Sequence, residues 1–342
     1  VIDDEGAGLG RAVWFVAPRR AEVRTHQVPK PGSGEVLVQG LCSLISPGTE
    51  MLVYRGEVRP DQRLGVPTAE GSFAFPIKYG YQVVGRVVAS GPGAAAEPGQ
   101  LVFVRHPHQT LFTAPEAGGI VTPVPPEVDE TSAIFANLVD VAVNCLFDVP
   151  VRFGDVVAVQ GLGMVGLFCA QLAARTSRAV VGIDPVAERR ARAAQQGVPM
   201  TASPEQAPAL ILELSEGRGA DICIEASGTA GGLQAAIDAT GQEGTIAVVA
   251  FYGTKHLDIA PGDAFHVRRQ RIVSTNVVHV GSGLQPRWDR ARRFDVAMRL
   301  TPSLKVDALI THRFALDDAP AAYELVDAGG PETYGVVLDL ST

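Results

Sequence analysis

The segment Val156–Gly166, VVAVQGLGMVG, constrains this chain more than any other. Gly161, Gly163 and Gly166 form a G-x-G-x-x-G pattern directly after an apolar run and directly before a helix-like one. Each glycine answers a separate geometric need. The first permits a tight turn, the second leaves room for a phosphate that a Cβ would block, and the third lets helix and strand pack closely. The helix start then offers unpaired N–H groups and the positive end of its dipole to an anion. With 37 glycines in 342 residues, chance matches are easy, so context decides. The next apolar strand, Ala179–Asp184, ends on a carboxylate 18 residues beyond Gly166, where it can accept hydrogen bonds from ribose hydroxyls.

The flanks fit a dinucleotide-binding unit. Strands are read at Val156–Gln160, Ala179–Asp184, Asp221–Glu225, Thr245–Ala250 and Arg271–Ser274, with helices at Val165–Arg175, Ala187–Gln196 and Gly231–Ala239. Continuous apolar strands alternating with helices imply a parallel sheet covered on both faces. Earlier residues differ in texture. Short alternating strands at Arg11–Val16, Ala21–Gln27, Glu35–Gly40, Val83–Ala89 and Leu101–Val104, punctuated by Gly and Pro, imply a small barrel-like β domain. Thr131–Phe147 reads as one long buried helix. Beyond Asp307 come a strand at Ala308–Phe314, a helix opened by Leu316-Asp317-Asp318, and a closing strand at Val336–Leu340.

Composition excludes several classes. A chain that is 46% hydrophobic and 19% charged is globular. A net charge of −8 argues against a general nucleic-acid binder. No apolar run is long enough for a membrane span, and the acidic start VIDDEGAG lacks the basic and apolar regions of a secretory signal. Cys42, Cys145, Cys169 and Cys223 are widely spaced, three of them in apolar runs, which fits buried reduced thiols in a cytoplasmic protein. Asp184 would repel a 2′-phosphate, so NAD is expected rather than NADP. Arg189 and Arg190 follow closely and are phosphate-binding residue types, but the carboxylate outweighs them.

Together with the glycine pattern, PGSGEVLVQGLCSLISPGTE (31–50), FPIKYGYQVVGRVVASG (75–91), ADICIEASGT (220–229) and THRFALDDAPAAYELV (311–326) resemble the medium-chain dehydrogenase/reductase superfamily over nearly the whole chain. The resemblance implies an α/β fold: a GroES-like β-rich catalytic domain (1–140 and 300–342) plus a Rossmann doubly wound parallel-sheet domain (141–299) that binds NAD. It carries Met164, Val165, Arg189, Ser227 and Phe251 into the cofactor site beside Gly161, Gly163 and Asp184. It also implies a small-molecule alcohol or ketone substrate, with neither nucleic acid nor membrane as partner. A homodimer is expected, because the β-branched run Arg271–Val280 near the sheet edge would otherwise be an exposed template.

The departures are informative. Zinc-dependent members carry a Cys-Gly-Thr-Asp-like segment and a Gly-His-Glu segment. Here the corresponding residues are Ser46-Pro47-Gly48-Thr49-Glu50 and Gly80-Tyr81-Gln82, and the third ligand position falls near Asn137. These donors make no zinc set, so no metal is expected. Tyr81 then becomes the first candidate for the proton chemistry, with Thr49 at the family's hydroxyl relay position and Glu50 after it. His106 and His108, expected at the cleft mouth with pKa values near neutrality, are candidate bases. Asn137 and Asp140 share one face of an apolar helix and need partners. The function implied is a zinc-independent, NAD-dependent secondary-alcohol dehydrogenase, similar to bacterial enzymes of secondary or pigment metabolism such as the bacteriochlorophyllide hydroxyethyl dehydrogenases. The alternatives are an NAD(P)H-dependent quinone or enoyl reductase and a non-catalytic nucleotide-binding relative.

Overall fold

A computed structural model describes residues 8–62, 66 and 68–341. Residues 1–7, which carry the acidic start, lie outside the described residues. The chain divides into two compact units, Val1–Ala136 with Val306–Thr342, and Asn137–Lys305.

The first unit is built from short strands turned by Gly and Pro. They are β1 (Gly8–Ala17), β2 (Arg20–Val28), β3 (Glu35–Ile45), β4 (Val83–Ser90), β5 (Leu101–Val104), β6 (Leu111–Pro115) and β7 (Val121–Pro123). Between β3 and β4 lies helix α1 (Thr49–Arg55), closed by Gly56 in the left-handed conformation. The expected helix Thr131–Phe147 is instead two helices, α2 (Glu130–Ala133) and α3 (Ala136–Asp148). The Asp129 side chain caps α2 by accepting from the Ser132 N–H at 2.8 Å. The Phe135 N–H then reaches back three residues to Ser132, a tight turn that buries both Ile134 and Phe135.

The second unit holds β8 (Val156–Gln160), α4 (Met164–Ala173), β9 (Ala179–Ile183), α5 (Ala187–Gln195), β10 (Met200–Ala202), α6 (Ala207–Leu214), β11 (Ala220–Glu225), α7 (Ala230–Ala239), β12 (Thr240–Val248), α8 (Ala264–Val267), β13 (Arg271–Ser274) and α9 (Arg290–Leu300). Its six strands pair in parallel in the order β10-β9-β8-β11-β12-β13. This is the doubly wound order in which the chain reverses direction at its first strand, here β8. β8 and β9 are buried along their whole length, which explains their unbroken apolar sequences.

The chain returns to the first unit as β14 (Ile310–Ala315), α10 (Ala319–Ala328) and β15 (Gly335–Asp339). β15 pairs with β3, completing a seven-stranded sheet in which β6 also pairs with β3; β1 and β2 form a separate hairpin. Tyr323 of α10 packs against Phe15 and Tyr54, with ring centroids 4.9 and 5.2 Å apart, so the returning segment fills the core of the unit it left. The fold is a GroES-like β-rich part plus a Rossmann sheet. Among the described residues no helix is long and apolar enough to cross a membrane. The four cysteines are free thiols; Cys145, Cys169 and Cys223 are buried, and burial pushes the half-buried Cys42 thiol up to about 12.

Candidate functional site

In the second unit the glycines do three different things. Gly161 has φ +90°, and a Cβ there would sit 2.8 Å from Ser227 backbone atoms. A Cβ on Gly166 would lie 1.9 Å from the Gly161 carbonyl oxygen, so only glycine lets α4 start this close to β8. A Cβ on Gly163 would meet nothing within 4 Å. Gly163 is also the N-cap of α4, and no side chain caps the helix. The result is an open cradle over the first N–H groups of a helix, the geometry that accepts a pyrophosphate. Met164 is buried and Val165 half-buried in that first turn.

Asp184 follows β9 directly and is 2% exposed. Its Oδ2 accepts from the Leu162 N–H and its Oδ1 from the Val186 N–H, both at 2.9 Å. The carboxylate therefore ties the glycine turn to the next strand. With about four acceptor positions on a carboxylate, it keeps capacity for a ligand hydroxyl. Arg189 Nη1 stands 3.8 Å from Asp184 Oδ2, while Arg190 Nη1 donates to the carbonyls of Asp184 and Pro185. Beyond β11, buried Glu225 accepts from the N–H groups of Ser227 and Gly228 at 2.7 and 3.1 Å, and from the Tyr252 hydroxyl. It thereby joins the loops after β11 and β12. Ser227 and Phe251 are exposed at the ends of those strands. Glu225 and Tyr252 were not legible as site residues, since a strand-terminal Glu signals nothing about its partners.

In the first unit five of the expected residues lie around one carboxylate or near it. Glu50, in the first turn of α1, is wholly buried. Its Oε2 accepts from the Ser46 N–H at 3.0 Å, and its Oε1 meets His108 Nε2 at 2.8 Å and the Tyr323 hydroxyl. The Tyr81 phenol lies near the Ser46 side chain and the Glu50 backbone, and its ring stands edge-on to Tyr79 at 5.9 Å. Burial, then Tyr79 and Glu50, push that phenol well above its usual range. Thr49 is half-buried beside Glu50. Tyr323 was not singled out in the sequence: in PAAYELV it reads as one more apolar helix position.

The histidines do not stand exposed at a cleft mouth. His106 is 3% exposed, stacked on Phe112 at 3.8 Å between centroids, with Nδ1 2.9 Å from the Pro107 carbonyl. Burial lowers its pKa to about 3, so it does not titrate near neutrality. His108 is wholly buried and paired with Glu50; among the described residues its Nδ1 has no partner. Gly80, at φ +144°, makes room for it: a Cβ there would lie 2.8 Å from the imidazole. Asn137, half-buried, belongs to the second unit and is not part of this cluster.

The donors at the expected metal positions do not fit zinc. Ser46 and Tyr81 offer only hydroxyls, and the Gln82 amide nitrogen donates to the Leu44 carbonyl at 3.2 Å while its Oε1, a poor zinc donor, has no partner among the described residues. Among the described residues no three His, Cys, Asp or Glu side chains are grouped to hold a metal. Zinc needs thiolate, imidazole or carboxylate, usually four donors, and the His108–Glu50 pair leaves one imidazole nitrogen, Nδ1, to offer.

Residues 164–294 match the family model described as zinc-binding dehydrogenase. Over 93% of its length the chain is 28% identical to YphC of Escherichia coli K12, a zinc-type alcohol dehydrogenase-like protein, of which the match covers 96%. These similarities support the medium-chain dehydrogenase/reductase superfamily. The chain is also 32% identical to D-guloside 3-dehydrogenase of Shigella flexneri over 197 residues, a match covering 56% of each chain, so it spans only about half the length of that relative. Two solved structures share its fold at TM-score 0.78 and 18% identity. One, from Sinorhizobium meliloti 1021, covers 97% of this chain and 99% of its own and is bound to NADP. The other, an alcohol dehydrogenase of E. coli CFT073 with the same coverage, is complexed with NADH.

Proposed function

We propose that this chain is an NAD-dependent, zinc-independent dehydrogenase that interconverts a secondary alcohol and its ketone. The observation that carries the reading is the buried Glu50–His108–Tyr323 cluster, near which Tyr81 stands where the resemblance puts a metal ligand. The Gly161–Gly166 turn and the start of α4 would hold the pyrophosphate, and Asp184 the adenosine ribose. NAD bound there supplies the hydride acceptor for oxidation, and NADH the donor for reduction. Since structural neighbours carry NADP and NADH alike, the choice of nucleotide rests on Asp184, which favours NAD and disfavours the NADPH-using quinone and enoyl reductases.

Because its pKa is raised, Tyr81 stays protonated at neutral pH and serves as a hydrogen-bond donor to the substrate oxygen, where negative charge builds during hydride transfer. It is not the base. The hydroxyl proton released on oxidation needs another acceptor, and His108, which shares Glu50 with the cluster and has a free Nδ1, is the basic group suited to it. His106, neutral and bonded to its own loop, takes no part. The exposed Ile272 on edge strand β13 supports a homodimer through that edge, and a stable monomer in sedimentation at micromolar concentration would reject it. A cytoplasmic setting is part of the same reading.

The test is a panel of secondary and primary alcohols with NAD and with NADP, followed by absorbance of the reduced nucleotide. Turnover of secondary alcohols with NAD at least about tenfold preferred is expected. Reduction of enones or quinones with no alcohol turnover would reject the reading.

A further inference from the structure

Inside the second unit lies a charged side chain that the proposed chemistry does not use. Arg293 of α9 is wholly buried, and its guanidinium is saturated. Nε and Nη2 donate to the two oxygens of buried Asp140 at 2.7 and 3.1 Å. Nη1 donates to the Asn144 side-chain oxygen and, at 3.1 Å, to the His279 carbonyl; Nη2 donates to the Val277 carbonyl at 2.6 Å. Asn144 in turn donates to the Thr275 carbonyl at 3.3 Å. Three carbonyls of one loop, at residues 275, 277 and 279, are thus held by side chains of α3 and α9 on either side of a turn at 277–278. The loop is also tied to the sheet, because the N–H and hydroxyl of Thr275 both donate to the Val248 carbonyl at 3.1 Å.

A buried ion pair adds little net stability over apolar packing of the same volume. What this one adds is register. With these carbonyls held, the side chains of Asn276, Val278 and His279 are exposed, Val278 at 40%. The place of this loop in the sheet says what that register serves. In doubly wound sheets a ligand binds at the carboxyl ends of the strands. Asp184 follows β9 and the glycine turn follows β8, so the adenosine half belongs on the β9 side. β11, β12 and β13 lie on the other side of β8 in the sheet order. The second half of a dinucleotide therefore crosses their carboxyl ends, and the loop after β13 is the last one it reaches. Phe251 and Val278, each 40% exposed, follow β12 and β13 and offer apolar surface to a flat ring.

We infer that Arg293 is a positioning residue for the nicotinamide half of the dinucleotide: with Asp140 and Asn144 it holds the Thr275–Val280 loop in register at the carboxyl end of β13. This rests on the nucleotide-binding reading above. It also gives Asp140 a partner within its own unit.

The test compares two ligands that differ only in the nicotinamide end, NADH and ADP-ribose, by calorimetric titration of the full chain. Arg293→Lys keeps a charge for Asp140 but gives up the planar fork that reaches the loop carbonyls. Asn144→Ala keeps the Arg293–Asp140 ion pair and the bonds to the Val277 and His279 carbonyls, and removes the bonds from Asn144 to Arg293, Asp148 and the Thr275 carbonyl. Both variants are expected to bind NADH about tenfold more weakly, a loss of about 1.4 kcal/mol, while ADP-ribose affinity stays within about twofold. The fluorescence enhancement of bound NADH is expected to fall with it. Equal weakening of both ligands, or no change in either, would overturn the inference. If Arg293→Lys does not fold, Asn144→Ala decides by the same ratio. Failure of the unaltered protein to bind either ligand would overturn the nucleotide reading itself, and this inference with it.

Discussion

The two units position their chemistry by different means. In the second, backbone shape does most of it: three glycines within one turn, and a carboxylate 22 positions from the N–H it holds. In the first, side chains from distant segments do it: Glu50 meets His108 across 58 positions and Tyr323 across 273. The backbone arrangement depends on its three glycines and on little else in the turn. The side-chain arrangement depends on each member being present, since an unpaired buried carboxylate is costly. Substitutions should therefore fail differently in the two units.

The largest effect belongs to the side-chain cluster. Tyr81→Phe removes the donated proton but keeps the ring, and kcat is expected to fall by about 10²–10³ with NADH affinity unchanged, as for loss of a single oxyanion donor. Near-normal kcat with altered KM would reduce Tyr81 to a pocket-shaping residue. Next comes the backbone cradle. Gly163→Ala adds a methyl into open space, so melting temperature is expected to hold while NADH affinity drops at least about tenfold. Gly166→Ala meets a carbonyl oxygen and is expected to lose stability as well. If both variants behaved alike, in melting and in titration, the division of roles among the glycines would be wrong.

Asp184→Ser is expected to narrow the NAD preference by about 1–2 kcal/mol, measured as the ratio of dissociation constants for NADH and NADPH. The same change leaves the Leu162 N–H without its carboxylate, so some of the loss will appear for both nucleotides. A smaller effect concerns His106. Its folded pKa of about 3 lies below the unfolded value near 6.5, so between these pH values the unfolded chain holds a proton that the folded chain does not. Its contribution is present above pH 6.5 and is lost as pH falls towards 3, by at most about 1.4 kcal/mol per pH unit. His106→Gln should flatten that part of a denaturant-derived stability profile and leave the pH–rate profile unmoved. A shift of the rate profile near pH 6–7 would restore His106 as a proton carrier.

The same contrast decides what could be read from the sequence. Gly161, Gly163, Gly166 and Asp184 were legible because their geometry is local and each residue type has a single physical use there. Helices α4, α5 and α7 were legible to within a residue or two for the same reason. The helix expected over Thr131–Phe147 breaks because Ser132 closes a tight turn, which hydrophobic patterning does not register. Helix α9 was missed: its charged sequence RARRFDVAMRL hides the apolar stripe Phe294, Ala297 and Met298, although Asp289 is a visible cap. Tyr81 and Glu50 were singled out through the resemblance, but the contacts around them, with His108 and Tyr323 on Glu50, are tertiary ones that no spacing encodes. The burial of His106 and His108 was misjudged on the same ground, since HPHQ looks like a polar loop until Phe112 and Glu50 close on it.

The central claim is that organic donors around Glu50 replace a metal. It is tested most directly by measuring zinc content and NAD-linked alcohol oxidation on the same sample before and after exhaustive dialysis against a chelator. Well under one zinc per chain and unchanged turnover are predicted. One tightly held zinc per chain, whose removal abolishes activity and whose return restores it, would contradict the account.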